Sequence, residues 1–350
     1  TLIEIAKENG GEDWGYYSSS FDIIEANWLS FQEALEYSYQ RSLLNSSTYY
    51  AKFKQLWDLL NRFSDLYSYR NQRMDWLKKM KYLCQHYQYN EDLFVASTRL
   101  GWTLLMSDDL LGAKEELDYA ERYIKYTNNL WYICQYFHCL FNCYNRSKEF
   151  DLAGKALDCQ YQSFFKLCND FCGSSSHNVN NLEIKRAEVN VLRNAGKYNL
   201  RIALNEMGVG NTETAKQYLD TSLNIFSQCL KLSKSINWTR GTSYIMNQIA
   251  DINLNLILLE KETTSEQKRS FIAEATYYLK EGFEIAIKNK NQRRIGMYHL
   301  SLVDLALLNN ATKEARHNLE QAKINLSPAD NQERVKKAEK EVATKSKIGD

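Results

Sequence analysis

The stretch from Leu100 to Ala120, LGWTLLMSDDLLGAKEELDYA, decides the fold. Leu100, Gly101 and Leu104 fall on one face of a helix, Ser107-Asp108-Asp109 supplies cap-type residues, and Ala113, Leu117 and Ala120 form the facing stripe of a second helix. The pattern is a helical hairpin. Small residues at Gly101, Ala113 and Ala120, with larger apolar ones between, allow two antiparallel helices to approach closely and interlock by ridges and grooves.

Outward from this hairpin the composition points the same way. Of 350 residues, 44% are hydrophobic and 25% charged, with one proline and 14 glycines, so helix breakers are few. The 24 tyrosines and seven tryptophans are large amphipathic groups suited to holding helix pairs together. A formal charge of +1 gives no global field to attract nucleic acid or an anionic membrane. No apolar run reaches the ~18 residues of a membrane span, and no secretory signal is visible. Eight cysteines lie mostly within helical apolar patterns and read as buried thiols in a reducing cytoplasm, in preference to disulfides or a metal site.

The spacing of the hairpin resembles the tetratricopeptide repeat, a helix-turn-helix unit of about 34 residues that buries its apolar face only by stacking on copies of itself. Counted from Phe94, the signature positions hold Leu100, Gly101, Leu104, Ala113, Leu117 and Ala120. A degenerate copy from Cys134 places Leu140, Phe141, Tyr144, Ala153, Leu157 and Gln160 there, with Phe141 in place of the small residue. Later pairs follow: residues 182–207 with Ala215 and Leu219, then Ile249, Ala250 and Leu254 with Ala275 and Leu279, then Leu302 and Val303 with Ala315, Leu319 and Ala322. The resemblance implies an all-α, right-handed superhelix of stacked antiparallel helix pairs, with about 14 to 16 helices. Residues 1–90 read as N-terminal hairpins, 91–328 as repeats with a mobile connection at 172–181, and 329–350 as a charged capping helix or connector.

Within the first part, Phe21 to Tyr39 carries one continuous apolar stripe, so a single helix is expected there. Its wording, Glu25-x-Asn27-Trp28-Leu29, Ala34-Leu35-Glu36-Tyr37 and then Met74-Asp75-Trp76-Leu77, resembles the start of the repeat arm of STAND-class (NB-ARC- or NACHT-like) signalling ATPases. Tyr37 stands where that family usually has tryptophan, and the glycine usual before the Trp-Leu helix is missing. The resemblance implies a cytoplasmic sensor arm that binds a protein, peptide or small-molecule inducer and regulates an upstream nucleotide-binding domain. The absence of an initiator methionine at Thr1 fits a fragment. A free-standing scaffold that binds peptides is the alternative.

Catalytic constellations are missing from the sequence: no His-Glu-x-x-His, no Gly-x-Ser-x-Gly, and five scattered histidines. An enzyme is not expected, and no cofactor or metal is called for. Gly208-Val209-Gly210-Asn211-Thr212 lacks the lysine of a phosphate loop and reads as a hairpin turn. By the resemblance, ligand-facing positions fall at Gln135, His138, Asn142, Asn145 and Arg146, and at Tyr244, Asn247, Asp251 and Asn255. Paired amides suit an extended peptide and Arg146 a carboxylate or phosphate; the alternative is a solvated face. Arg186, Arg193 and Arg201 with Lys185 and Lys197 put positive charge along the central helix, but interleaved Glu183, Glu188 and Glu206 favour a solvated helix over a phosphate-binding one.

Overall fold

The computed structural model describes residues 1–10, 19–44, 46–66, 69–173, 181–259, 265–326 and 332–349. Among them the chain is helical throughout and contains no strand, with successive helix pairs in close contact. It divides into two compact units, residues 1–187 and 188–350.

The first unit contains α1 (Leu2–Asn9), α2 (Ser19–Ala26), α3 (Trp28–Ser42), α4 (Ser47–Leu66), α5 (Arg70–Tyr87), α6 (Asn90–Met106), α7 (Leu110–Glu121), α8 (Leu130–Arg146) and α9 (Phe150–Gly173). The single helix expected over Phe21 to Tyr39 is interrupted at Asn27. There the side-chain Nδ2 donates to the Ile23 carbonyl and the next helix starts at Trp28. The apolar stripe continues across the break, which is why periodicity alone does not reveal it. The core here is aromatic: Phe31, Phe53, Trp57 and Phe63 are fully buried, and Trp28 stacks on Tyr69 with ring centroids 4.8 Å apart. Arg73 lies buried beneath it and donates to Thr103 Oγ1 at 2.8 Å, tying α5 to α6.

The α6–α7 hairpin follows the sequence closely. Asp109 caps α7 by accepting from the Gly112 N–H at 2.9 Å. Ala113, Leu117 and Ala120 are completely buried. Gly101 permits the close approach, since a Cβ there would lie 2.9 Å from Leu117 Cγ and 3.3 Å from the Ala113 carbonyl oxygen.

The second unit holds the remainder of α10 (Asn181–Val209), then α11 (Thr212–Ser235), α12 (Thr239–Leu259), α13 (Ser265–Lys288), α14 (Gln292–Leu308), α15 (Thr312–Asn325) and α16 (Gln332–Gly349). The expected connection at 172–181 lies mostly outside the described residues. Gly196 lets α10 and α11 approach, with a Cβ there falling 2.7 Å from the Phe226 ring. Ser222 Oγ donates to the Gly196 carbonyl at 2.8 Å. The charged C-terminal segment is a helix that buries Ala338 and Val342.

One turn recurs in both units. Gln88, Asp108, Lys148, Gly210, Asn237, Lys290 and Asn310 all have positive φ. In each case the following N–H bonds the carbonyl five residues before it, from Tyr89 to Cys84 through Ala311 to Ala306. This is the Schellman arrangement that satisfies the last carbonyls of a helix. Only Gly210 among the seven is a glycine, so the turn is hidden from a reading that looks for glycine punctuation.

Candidate functional site

The residues expected on the ligand-facing side fall into two groups. In the first unit, α8 buries His138, Asn142 and Asn145, while Gln135 stays half-exposed. His138 lies against Trp102 with ring centroids 5.3 Å apart, and Asn142 Nδ2 donates to the His138 carbonyl at 2.7 Å. Arg146 donates to the Leu105 carbonyl at 2.6 Å and lies 3.7 Å from Asp108. The guanidinium therefore closes the end of α6 and joins two hairpins. These contacts are packing and capping.

In the second unit α12 presents Tyr244, Asn247, Asp251 and Asn255, and the fold supplies hydrogen-bond partners to the last three. Asp251 takes both arms of Arg334 from α16, at 3.0 Å each. Arg334 also donates to Asp304 Oδ2 at 2.8 Å and to Ser301 Oγ at 3.1 Å. Ser301 donates to Asp251 Oδ1 at 2.6 Å and accepts from Asn247 Nδ2 at 2.8 Å. Its hydroxyl thus uses its donor and both lone pairs. Burial works against the Arg334 charge, yet Asp251 and Asp304 outweigh it and hold the guanidinium above its ordinary pKa. Asn255 Nδ2 donates back to the Asp251 carbonyl at 2.7 Å.

Tyr244 is different, because cations surround it. Arg193 of α10 lies 4.3 Å from its ring centroid, Arg294 of α14 4.5 Å, and Lys197 of α10 5.1 Å. Arg193 and Lys197 are one helical turn apart, so both reach α12 from the same face of α10. Three cationic centres so placed lie within about 10 Å of one another, where at an effective dielectric constant of about 20 each pair repels by about 2 kcal/mol. Burial, with Arg293 and Arg193 adding, pulls the Arg294 guanidinium down to about 10. It stays charged at neutral pH. Among the described residues Arg294 makes no ion pair. Both Tyr244 and Arg294 remain partly exposed.

A scan against protein-family models finds no match, and a search of curated proteins finds no related sequence.

The solvated central helix expected from interleaved glutamates is therefore corrected at three positions: Arg186 is buried, and Arg193 and Lys197 turn onto Tyr244 instead of into water alone. The sequence signal was the pair spacing Arg193/Lys197. Arg294, about a hundred residues on, had no such signal.

The first unit holds a separate open cleft of about 630 Å³ lined by Tyr50, Lys54, Asp58, Tyr89 and Asp92. Its charges neutralise one another. Lys54 lies 3.5 Å from Asp58 and 3.4 Å from Asp92, and Tyr50 Oη donates to Asp92 Oδ2 at 2.6 Å. Among the described residues no group of three His, Cys, Asp or Glu side chains has metal-binding geometry, and no helix is long and apolar enough to cross a membrane.

The thiols are muted by burial. It pushes Cys84, Cys134 and Cys229 up to about 12 and Cys143 to about 11, and raises Cys139 as well. At pH 8 these five should stay unlabelled by a disulfide reagent in the native chain and react only on unfolding. Labelling of any of them at the rate of a free thiol would contradict their placement.

Proposed function

We propose that this chain is a non-catalytic, tetratricopeptide-like recognition domain, and that its second unit takes an acidic segment of a protein or peptide at the basic cluster around Tyr244. The observation that carries the reading is the convergence of Arg193, Lys197 and Arg294 on one half-buried aromatic ring. Cations held close together favour a ligand that brings negative charge, and an aromatic floor excludes water from one side of it. The recurring turn and the small-residue contacts at Gly101 and Gly196 support a repeat architecture, with the right-handed superhelix of that family as its finer form. The Glu25 to Leu77 wording further supports a place in the sensor arm of a STAND-class ATPase, where ligand binding would act on an upstream nucleotide-binding domain in the cytoplasm. A shift of that kind needs several kcal/mol of preference for one arm geometry.

The test is anisotropy of a labelled glycine-flanked glutamate peptide against its lysine counterpart. The acidic peptide should bind saturably, more weakly at higher salt, and Tyr244→Ala should weaken it about tenfold. Equal binding of the lysine peptide removes the reading. For the parent protein, a phosphate loop encoded upstream of Thr1 supports the signalling ATPase, and a reading frame opening beside Thr1 supports the free-standing scaffold.

A further inference from the structure

We infer that Asp251, Ser301 and Asp304 form an arginine-accepting pocket which α16 fills in the resting chain through Arg334, and that an arginine on a basic partner segment takes that place by displacing the helix. This pocket shares no side chain with the Tyr244 cluster and takes a ligand of the opposite charge.

The resident side chain displays the recognition geometry. The Arg334 guanidinium gives two parallel bonds to the Asp251 carboxylate, each 3.0 Å, one to Asp304 Oδ2 at 2.8 Å and one to Ser301 Oγ at 3.1 Å. All the acceptors stand on α12 and α14, which pack on each other directly, and Asn247 Nδ2 fixes Ser301 Oγ from α12 at 2.8 Å. The donor alone comes from α16. A planar fork suits two carboxylates and a hydroxyl, whereas a lysine ammonium cannot bond one carboxylate through two parallel donors.

The occupant leaves the pocket short of positive charge. Two carboxylates face one guanidinium, and burial, with Asp251 adding, raises the Asp304 carboxyl against the pull of Arg334 and Lys337. Asp304 Oδ1 accepts no hydrogen bond among the described residues, and the side chain is 33% exposed. Lys337, the other cation of α16 that acts on Asp304, is largely exposed and lies 3.8 Å from Glu341. In sequence α16 places Glu333 beside its arginine. A partner arginine followed by a second basic residue brings the same fork together with the charge that Arg334 leaves uncompensated.

The helix that carries Arg334 is lightly held. Among its described side chains only Ala338 and Val342 are buried, whereas α12 is buried along most of its length. Its polar ties, Lys345 to the Leu307 carbonyl, Ser346 to Arg316 at 3.0 Å and Glu339 to Lys323 at 3.0 Å, lie at or near the surface, where such bonds contribute little. A tethered side chain competes at an effective concentration of roughly millimolar, so a free segment replaces it by making contacts it does not make.

The experiment titrates the full chain and its Arg334→Ala variant with fluorescein-labelled, glycine-flanked peptides whose central pair is Arg-Lys, citrulline-Lys or Lys-Lys. Citrulline keeps the outline of arginine without its charge. The Arg-Lys peptide should bind the wild type weakly and Arg334→Ala at least tenfold more tightly, and the variant should bind the other two at least tenfold less tightly than Arg-Lys. Adding Asp304→Asn to Arg334→Ala should remove most of the gain. Saturating the wild type with the Arg-Lys peptide should also speed amide hydrogen exchange across α16, which a purely structural ion pair would not show. If Arg334→Ala fails to fold, that exchange and the wild-type preference for arginine over citrulline decide. Equal affinity of wild type and Arg334→Ala for the Arg-Lys peptide, equal binding of the citrulline peptide, no binding of any of the three, or binding that leaves α16 exchange unchanged overturns the inference.

Discussion

Replacing Gly282 by alanine should cost at least 3 kcal/mol, and the second unit of the variant should lose its cooperative melting transition. A Cβ at Gly282 would sit 1.8 Å from the Tyr298 hydroxyl and 3.0 Å from Met246 Cβ. An exposed tyrosine would swing aside, but Tyr298 is completely buried and its hydroxyl donates to the Ser243 carbonyl at 2.5 Å. Ser243 in turn donates to the Gly282 carbonyl at 2.8 Å. The added methyl therefore has to break two buried hydrogen bonds or part α12, α13 and α14. Overpacking alone costs about 1–3 kcal/mol and each stranded buried polar group about 1–3 more. Adding Tyr298→Phe to the alanine variant removes the clashing oxygen and should recover part of the loss. Chemical denaturation measures both; a single alanine variant within 1 kcal/mol of wild type would show that the three helices are not locked here.

Asp251→Ala should cost about 2–4 kcal/mol and free α16 to exchange its amide hydrogens, because the change leaves Arg334, Ser301 and Asp304 to re-pair around a missing acceptor. The Asp251 side chain is only 10% exposed, so water cannot readily replace it. Arg334→Met should cost less, since methionine fills the space and Ser301 still bonds Asp251. A double-mutant cycle should return a coupling energy of at least about 1 kcal/mol between the two positions. Strict additivity would mean that the ion pair does not hold α16. The rest of that helix is attached by buried Ala338 and Val342 and, nearer water, by Lys345 to the Leu307 carbonyl and Lys323 to Glu339 at 3.0 Å.

Much of the architecture was readable from residue order alone, and particular residues explain why. Gly101, Ala113 and Ala120 announce a close helix crossing because smallness has few other uses in an apolar stripe. Asp109 announces a helix start because its carboxylate has an N–H to accept. The break at Asn27 was silent, since neighbouring apolar positions keep their period through it. Of the six left-handed turn residues other than Gly210, Asp108 lay in a gap already marked by cap-type residues, and the other five were silent because lysine, glutamine and asparagine are common on any helix surface.

At the candidate positions the sequence names residues but not their partners. Asn247, Asp251 and Arg146 were read as waiting for a ligand, and the fold supplies Ser301, Arg334 and the Leu105 carbonyl instead. Those partners lie 54, 83 and 41 residues away, and no local pattern links them. Tyr244 shared the same helix face, and the cations around it come from α10 and α14, which only the packed chain brings together.

The bridge from Asp251 through Ser301 to Arg334 has an evolutionary consequence. Proteins made of similar hairpins change length by gaining or losing whole copies, and most interfaces tolerate this because each layer meets only its neighbours. Here one bidentate pair reaches across α14, so a hairpin spliced in between would move donor and acceptor about 10 Å apart and strand both. Descendants of this chain should therefore vary in copy number ahead of α12 and keep the order from α12 to α16 unchanged.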